Sequence, residues 1–138
     1  MSDHEKITYN QLDVGYEFPE ANFSLDPSAV SAYLASTEDS IPIYAGTGKV
    51  PPTAIAAWAL ASLLEYIDLP AGTIHLTQEV RSLKTVSEGT EVTCKAKVSR
   101  KQERGKLKLL NIDIDVVDPN QETLLSSKSS FNLPQTST

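Results

Sequence analysis

The chain has one cysteine in 138 residues, so no internal disulfide can staple it. Cys94 falls in an alternating apolar pattern, where a thiol reads as a small buried hydrophobe; a reactive thiolate would need a nearby base or cation that the sequence does not identify. Positive charge is also scarce. Twelve Lys and Arg against eighteen Asp and Glu give a formal net charge of −6, which argues against a nucleic-acid partner bound through its phosphates. The one local basic run, Arg100, Lys101, Arg104, Lys106 and Lys108, reads as a solvated hairpin. No apolar run reaches the roughly 20 residues that a membrane span needs, and the longest one takes in Glu65 and Asp68 near its end. The opening MSDHEKITYN has acids and no apolar core, which is unlike a signal peptide and makes a cytoplasmic location the default. "AGTGK" around Gly46 and Gly48 lacks the spacing of a phosphate loop. Neither a metal nor a cofactor is implied.

What is present is enough for one ordinary domain, since 40% hydrophobic content at this length can bury a core without metals or disulfides. From Tyr9 to Leu25 the apolar residues are spaced irregularly around Gly15 and Pro19, as in a short strand or two broken by a turn. "DPSAVSAYLAST" then offers Asp26 as N-cap and Pro27 as first helical residue, with Val30, Tyr33 and Leu34 at helical spacing. Pro42 pushes Ile41 out of helical conformation, so "TEDSIPIY" must extend or turn there.

"PPTAIAAWALASLLEYIDL" is the least polar stretch, with only Thr53, Ser62, Glu65 and Asp68 polar between residues 53 and 69. Pro51 and Pro52 suit a helix start, where N–H groups have no internal partners. The pattern predicts a helix of about 17 residues and roughly 25 Å, buried on nearly every side. Five alanines between Ala54 and Ala61 keep it thin. After "LPAG" the period changes to two: Ile74, Leu76, Val80; Val92 to Val98; Leu110 to Val116; and Leu125 to Phe131 mark about four strands. "SEGT", "ERGK" and "DPNQ" read as short turns, so an antiparallel meander following the helix is expected. The architecture is α+β, a curved antiparallel sheet wrapped around one long buried helix.

These pieces, in this order, resemble the MaoC-like acyl hydratases and dehydratases of the hot-dog fold, from Gly15 to Pro134. "LDVGYEF" is similar to that family's entrance strand, "DPSAVSAYLASTEDSIPIY" to its helix followed by Asp-x-Asn-Pro-x-His, and "VPPTAIAAWAL" to the start of its central helix. "GTIHLTQEVRSLKTVSEGTEVTCKAKV" is similar to the strand, turn and strand that follow. "PIY" and "PPT" look more like the N-terminal, dehydratase-like half of two-hot-dog proteins, where two halves or subunits share one complete site. The resemblance implies a single hot-dog domain over 1–138, with 1–8 and 135–138 as flexible ends. It also implies an acyl-CoA or acyl-carrier-protein thioester as ligand, and a homodimer or a heterodimer with a second hot-dog subunit.

Relatives hydrate an enoyl thioester with an Asp and a His that hold and activate water, while an N–H at the start of the central helix polarises the thioester carbonyl. Carried over by position, the acid is Asp39, the asparagine position holds Ile41, and the histidine position holds Tyr44. Tyrosine titrates near 10 against about 6.5 for histidine, so at pH 7 only about one part in a thousand is the base, a deficit of about 4 kcal/mol. The resemblance puts the carbonyl donor at the helix start, at Pro52, Thr53 or Ala54; Pro52 has no N–H, and Thr53 or Ala54 could supply one instead. Each residue also has a plainer reading. Asp39 can cap a turn before Pro42, Tyr44 can pack its ring and expose its hydroxyl, and His75 fits a strand surface. Trp58 fits the core, or the lining of an acyl tunnel. The resemblance thus implies an enoyl hydratase or hydroxyacyl dehydratase with an impaired site. A non-catalytic subunit that completes a partner's site, and an acyl-CoA thioesterase, are the alternatives.

Overall fold

The structure, a computed structural model, describes residues 6–36 and 48–134. The elements are β1 (Ile7–Thr8), a 3-10 turn (Tyr9–Gln11), β2 (Ala21–Ser24), α1 (Pro27–Ser36), β3 (Lys49–Val50), α2 (Pro52–Leu64), β4 (Ile67–Asp68), β5 (Ile74–Ser82), β6 (Val86–Ser87), β7 (Glu91–Arg104), β8 (Leu107–Val117) and β9 (Thr123–Asn132). Five of them form one antiparallel sheet in the order β2-β7-β8-β9-β5, and α2 packs over β5, β9 and β8. The period-two pattern sets which face is buried: Leu110, Ile112, Ile114 and Val116 of β8 point inward with Leu125 and Phe131 of β9. Against them α2 buries Ala54, Ile55, Ala56, Ala59 and Leu63. The alanines let the helix lie close on the sheet, and the interlocked leucines and isoleucines hold it there.

Gly15 takes φ +93° in the turn that ends with Tyr16 N–H donating to Asp13 C=O at 2.9 Å, and beyond it the entrance segment runs along β7. At the start of α1, Val30 N–H donates to Asp26 C=O at 3.0 Å, so Asp26 stands in the expected N-cap position. "ERGK" is a tight hairpin between β7 and β8, with Gly105 at φ +61°, in the left-handed region that glycine adopts without a Cβ clash.

Four expectations change. The sheet is not a simple meander after α2, because β5 goes to the far edge and pairs with β9 while β7 pairs with β2 and β8. "SEGT" cannot close a hairpin: Val86 and Ser87 pair with Val50 and Lys49, and the N–H groups of Glu88 and Gly89 go to Gly48 and Leu25 at 2.8 and 2.7 Å. Second, α2 ends at Leu64 rather than near 69. Ile67 and Asp68 leave the helix to pair in parallel with Ile7 and Thr8, and Ile7 N–H donates to Tyr66 C=O at 2.9 Å. That pairing takes in Ile7 and Thr8 of the 1–8 segment, whereas 1–5 and 135–138 lie outside the described residues. Third, α2 is not covered all round: Thr53, Ala57 and Ala61 form an exposed stripe at four-residue spacing. Fourth, the basic run is not wholly solvated. Lys101 donates to Leu12 C=O at 2.7 Å, and the ammonium groups of Lys101 and Lys108 lie 4.6 and 4.7 Å from the centre of the Tyr9 ring, a cation–π arrangement. Burial, with Glu103 nearby, holds the Tyr9 hydroxyl above its ordinary titration range.

Candidate functional site at the start of the central helix

Pro51 sits at the N-cap of α2 in extended conformation and provides no side-chain cap, and Pro52 is the first helical residue. The Pro51 carbonyl accepts from Ala54 N–H at 3.0 Å and from Ile55 N–H at 3.3 Å. Pro52 has no N–H to give. Among the described residues, Thr53 N–H is then the donor of this first turn without an acceptor. Of the two candidates, Thr53 is the one whose N–H is open, and it lies at the positive end of the helix dipole.

Around that group, α1 and α2 meet. Tyr33 donates its hydroxyl to Thr53 Oγ1 at 3.0 Å, and its ring stands edge-on to Trp58 with centroids 6.0 Å apart. Trp58 is half-buried and Ala54 fully buried, while Pro52 is half-buried and Thr53 exposed. Of the expected site residues, Pro52, Thr53, Ala54 and Trp58 thus gather at the first turns of α2. Asp39, Ile41 and Tyr44 lie outside the described residues. Tyr33 was legible only as a member of a helical apolar stripe; its hydroxyl contact depends on how α1 crosses α2.

Beside Pro52 and Ile55, toward β5 and β9, lies a hollow of about 50 Å³, lined also by Ser82, Lys84 and Leu124; Thr53, Tyr33 and Trp58 are not in its lining. It has room for a few waters and not for a drug-sized ligand, which takes roughly 300 Å³ or more. The larger hollows lie elsewhere, one of about 480 Å³ along β5 beside Glu79, Val80 and Arg81, and one of about 300 Å³ where β2 meets β7. Both are open to solvent. At the rim of the small hollow Lys84 pairs with Glu122, and this hydrogen bond raises the lysine's pKa. Lys49, the nearest cation in sequence to Tyr44, donates to Ser87 Oγ at 3.1 Å across β3 and β6.

His75 is exposed on β5 and stacks on Phe131 with centroids 4.7 Å apart, in keeping with a strand-surface residue. Cys94 is buried, and burial pushes its thiol up to about 12. Among the described residues no three His, Cys, Asp or Glu side chains cluster as metal ligands, and no helix is long and apolar enough to cross a membrane.

No protein-family model matches the sequence, and no curated protein matches it. Solved structures that match over most of the chain include (R)-hydratases and a MaoC-like dehydratase. The R-hydratase PhaJ1 of Pseudomonas aeruginosa, unliganded, is 19% identical with TM-score 0.75, over 95% of this chain and 88% of that one. The (R)-hydratase from A. caviae involved in PHA biosynthesis is 20% identical with TM-score 0.72, over 89% and 98%. The ChsH1-ChsH2 complex of Mycobacterium tuberculosis, an assembly of two different chains, is 11% identical with TM-score 0.69, over 88% and 98%. These likenesses establish the hot-dog fold, an antiparallel sheet curved around α2, as the sequence pattern implied.

Proposed function

We propose that the chain binds acyl thioesters, of CoA or of a carrier protein, as a hot-dog subunit of the enoyl hydratase and hydroxyacyl dehydratase type. The observation that carries this reading is the Thr53 N–H, open at the start of an apolar helix whose next two N–H groups are both taken by Pro51. A thioester carbonyl accepting from Thr53 would place its developing negative charge at the positive end of the helix, where such charge is most stabilised. In the forward reaction, water adds to the β-carbon of a trans-2-enoyl thioester and a proton to the α-carbon. The Asp39 carboxylate holds the water, takes its proton as the oxygen bonds to the β-carbon and passes that proton to the α-carbon, while the Tyr44 hydroxyl donates a hydrogen bond to the water. Loss of absorbance of a trans-2-enoyl-CoA on hydration tests this, with Asp39→Asn expected to abolish the turnover. Absence of turnover above buffer at every chain length sinks the reading for the isolated chain, and release of free thiol from acyl-CoA would instead mark a thioesterase.

A second reading is favoured by Ile41 and Tyr44 and by the small hollow at the helix start. Here the chain completes a site whose Asp and His belong to a second, different hot-dog subunit, since a copy of this chain has Tyr44 at the histidine position. Activity confined to a mixture with a subunit that has the intact Asp-x-Asn-Pro-x-His segment supports it. Full activity of this chain alone excludes it.

A further inference from the structure

The inward row of β8 runs Lys108, Leu110, Ile112, Ile114, Val116, so a lysine fills a position that the alternation otherwise gives to an apolar side chain. Lys108 is only 9% exposed, with its ammonium over the Tyr9 ring. A charge so far out of water calls for an acceptor. Lys101, at the same ring, has one in the Leu12 carbonyl. Lys108 has none: among the described residues its ammonium joins no ion pair and donates no hydrogen bond, and Glu103, which faces it across β7 and β8, is exposed and does not pair with it. The face of one ring offsets less than the burial of an ammonium costs.

Lys108 lines a hollow of about 170 Å³ just past the end of α2 opposite to Thr53, together with Tyr9, Asn10, Asp68, Pro70 and Leu133. A second charge stands in the same hollow. Asp68 is exposed and pairs with no cation among the described residues, Lys108 included. A cation and an anion thus share one hollow without joining, and Pro70, Leu133 and the Tyr9 ring give it an apolar wall.

We infer that this hollow binds a small α-amino acid, with the ligand's carboxylate on the Lys108 ammonium and its ammonium on the Asp68 carboxylate. A bare anion such as phosphate would be drawn to Lys108 and repelled by Asp68, and a bare amine would meet the reverse. A zwitterion matches both charges. The exposed Asn10 carboxamide, which has no hydrogen bond among the described residues, is placed to donate to the same carboxylate. At about 170 Å³ the hollow falls below the roughly 300 Å³ that a drug-sized ligand takes, and suits a ligand of alanine's size. It lies at the opposite end of α2 from the proposed thioester site, so the inference stands whatever the chain catalyses.

The test is titration of the ¹⁵N-labelled full chain with L-alanine, propionate and ethylamine at neutral pH and constant ionic strength, followed by amide chemical shifts. Alanine is expected to shift the resonances of Asn10, Asp68 and Lys108 saturably. Propionate and ethylamine, which each lack one of its charges, should bind at least about tenfold more weakly. Lys108→Met keeps a long stem without the charge and abolishes the saturable shifts; a lysine that only seals the end of the core with its stem predicts no binding in the first place. Should that variant fail to fold by circular dichroism, Asp68→Asn, at an exposed position, decides the matter by removing alanine's preference over propionate. No saturable shift in the wild type, equal binding of alanine and either half-ligand, or alanine binding unchanged in the variants would each overturn the proposal. None of these outcomes depends on turnover, so they leave the proposed activity to its own assay.

Discussion

Ser129 gives the sharpest test of the packing. It lies in the middle of β9, opposite Ile112 on one side and Gln78 on the other, fully buried, and its hydroxyl has no hydrogen-bond partner among the described residues. A buried hydroxyl without a partner costs about 1–3 kcal/mol relative to one that is satisfied. Ser129→Ala removes that cost and deletes only one heavy atom, so the cavity left behind is small. The expected result is a protein more stable by about 1 kcal/mol, with Tm raised by about 3 °C. Ser127 is the control. It is equally buried but accepts from the Gln78 amide at 3.4 Å, a bond long enough to contribute little. Ser127→Ala should therefore lie within about 0.5 kcal/mol of the wild type. Urea denaturation at one fixed protein concentration reads both, since association would otherwise shift the midpoint. If Ser129→Ala is less stable than the wild type at unchanged m-value, the hydroxyl has a partner in solution and the reasoning fails.

The site and the core offer two further tests. Thr53→Pro removes the open N–H while leaving a residue that a first helical turn tolerates, and hydration should fall by about 10²–10³ in kcat. Thr53→Ala keeps the N–H and loses only the contact with Tyr33, so it should retain most of the rate; equal losses in the two variants would refute the assignment of the donor. Cys94 titrates near 12 in the native state against an ordinary 9.0, because burial favours the neutral thiol. The native protein thus keeps a proton that the unfolded chain gives up above pH 9. Stability is unaffected below that pH and declines above it toward 12, with a slope of up to about 1.4 kcal/mol per pH unit. Urea midpoints of wild type and Cys94→Ala between pH 8 and pH 10.5 check this, and parallel curves would contradict it.

Much of the fold was legible because its signals are local. Ile112 and Ile114 alternate with Asp113 and Asp115, and that alone assigns the buried face of β8. What could not be read depends on distant partners. Nothing around Ile67 says that the chain leaves its helix there, because the reason lies at Ile7, which offers a strand to pair with. Lys101 and Lys108 sit in what looks like a solvated hairpin, yet both reach the Tyr9 ring from the other end of the sequence. The wide separation of β5 from β7 likewise turns on pairings with β3, not on the turn residues between them. At the site, the helix start was legible from its prolines, whereas the contact of Tyr33 with Thr53 depends on the crossing of two helices.

The prolines themselves change meaning once the hydrogen bonds are placed. In sequence, Pro52 reads as the loss of a donor at the position where a carbonyl must be polarised. In the structure the loss is confined to the first helical residue, and Pro51 acts in the opposite sense. A Ser, Thr or Asp at the N-cap would turn its side-chain oxygen onto an N–H of the second or third helical residue and occupy it. Pro51 has no such oxygen, and its carbonyl goes to Ala54 and Ile55. Thr53 N–H is left open for that reason. The pair of prolines thus leaves one open donor in the first turn and keeps competing caps away from it, which suits the single carbonyl oxygen of the proposed ligand. Under the proposed reading, the departure from the family pattern that matters is then the tyrosine at position 44 rather than the start of the helix.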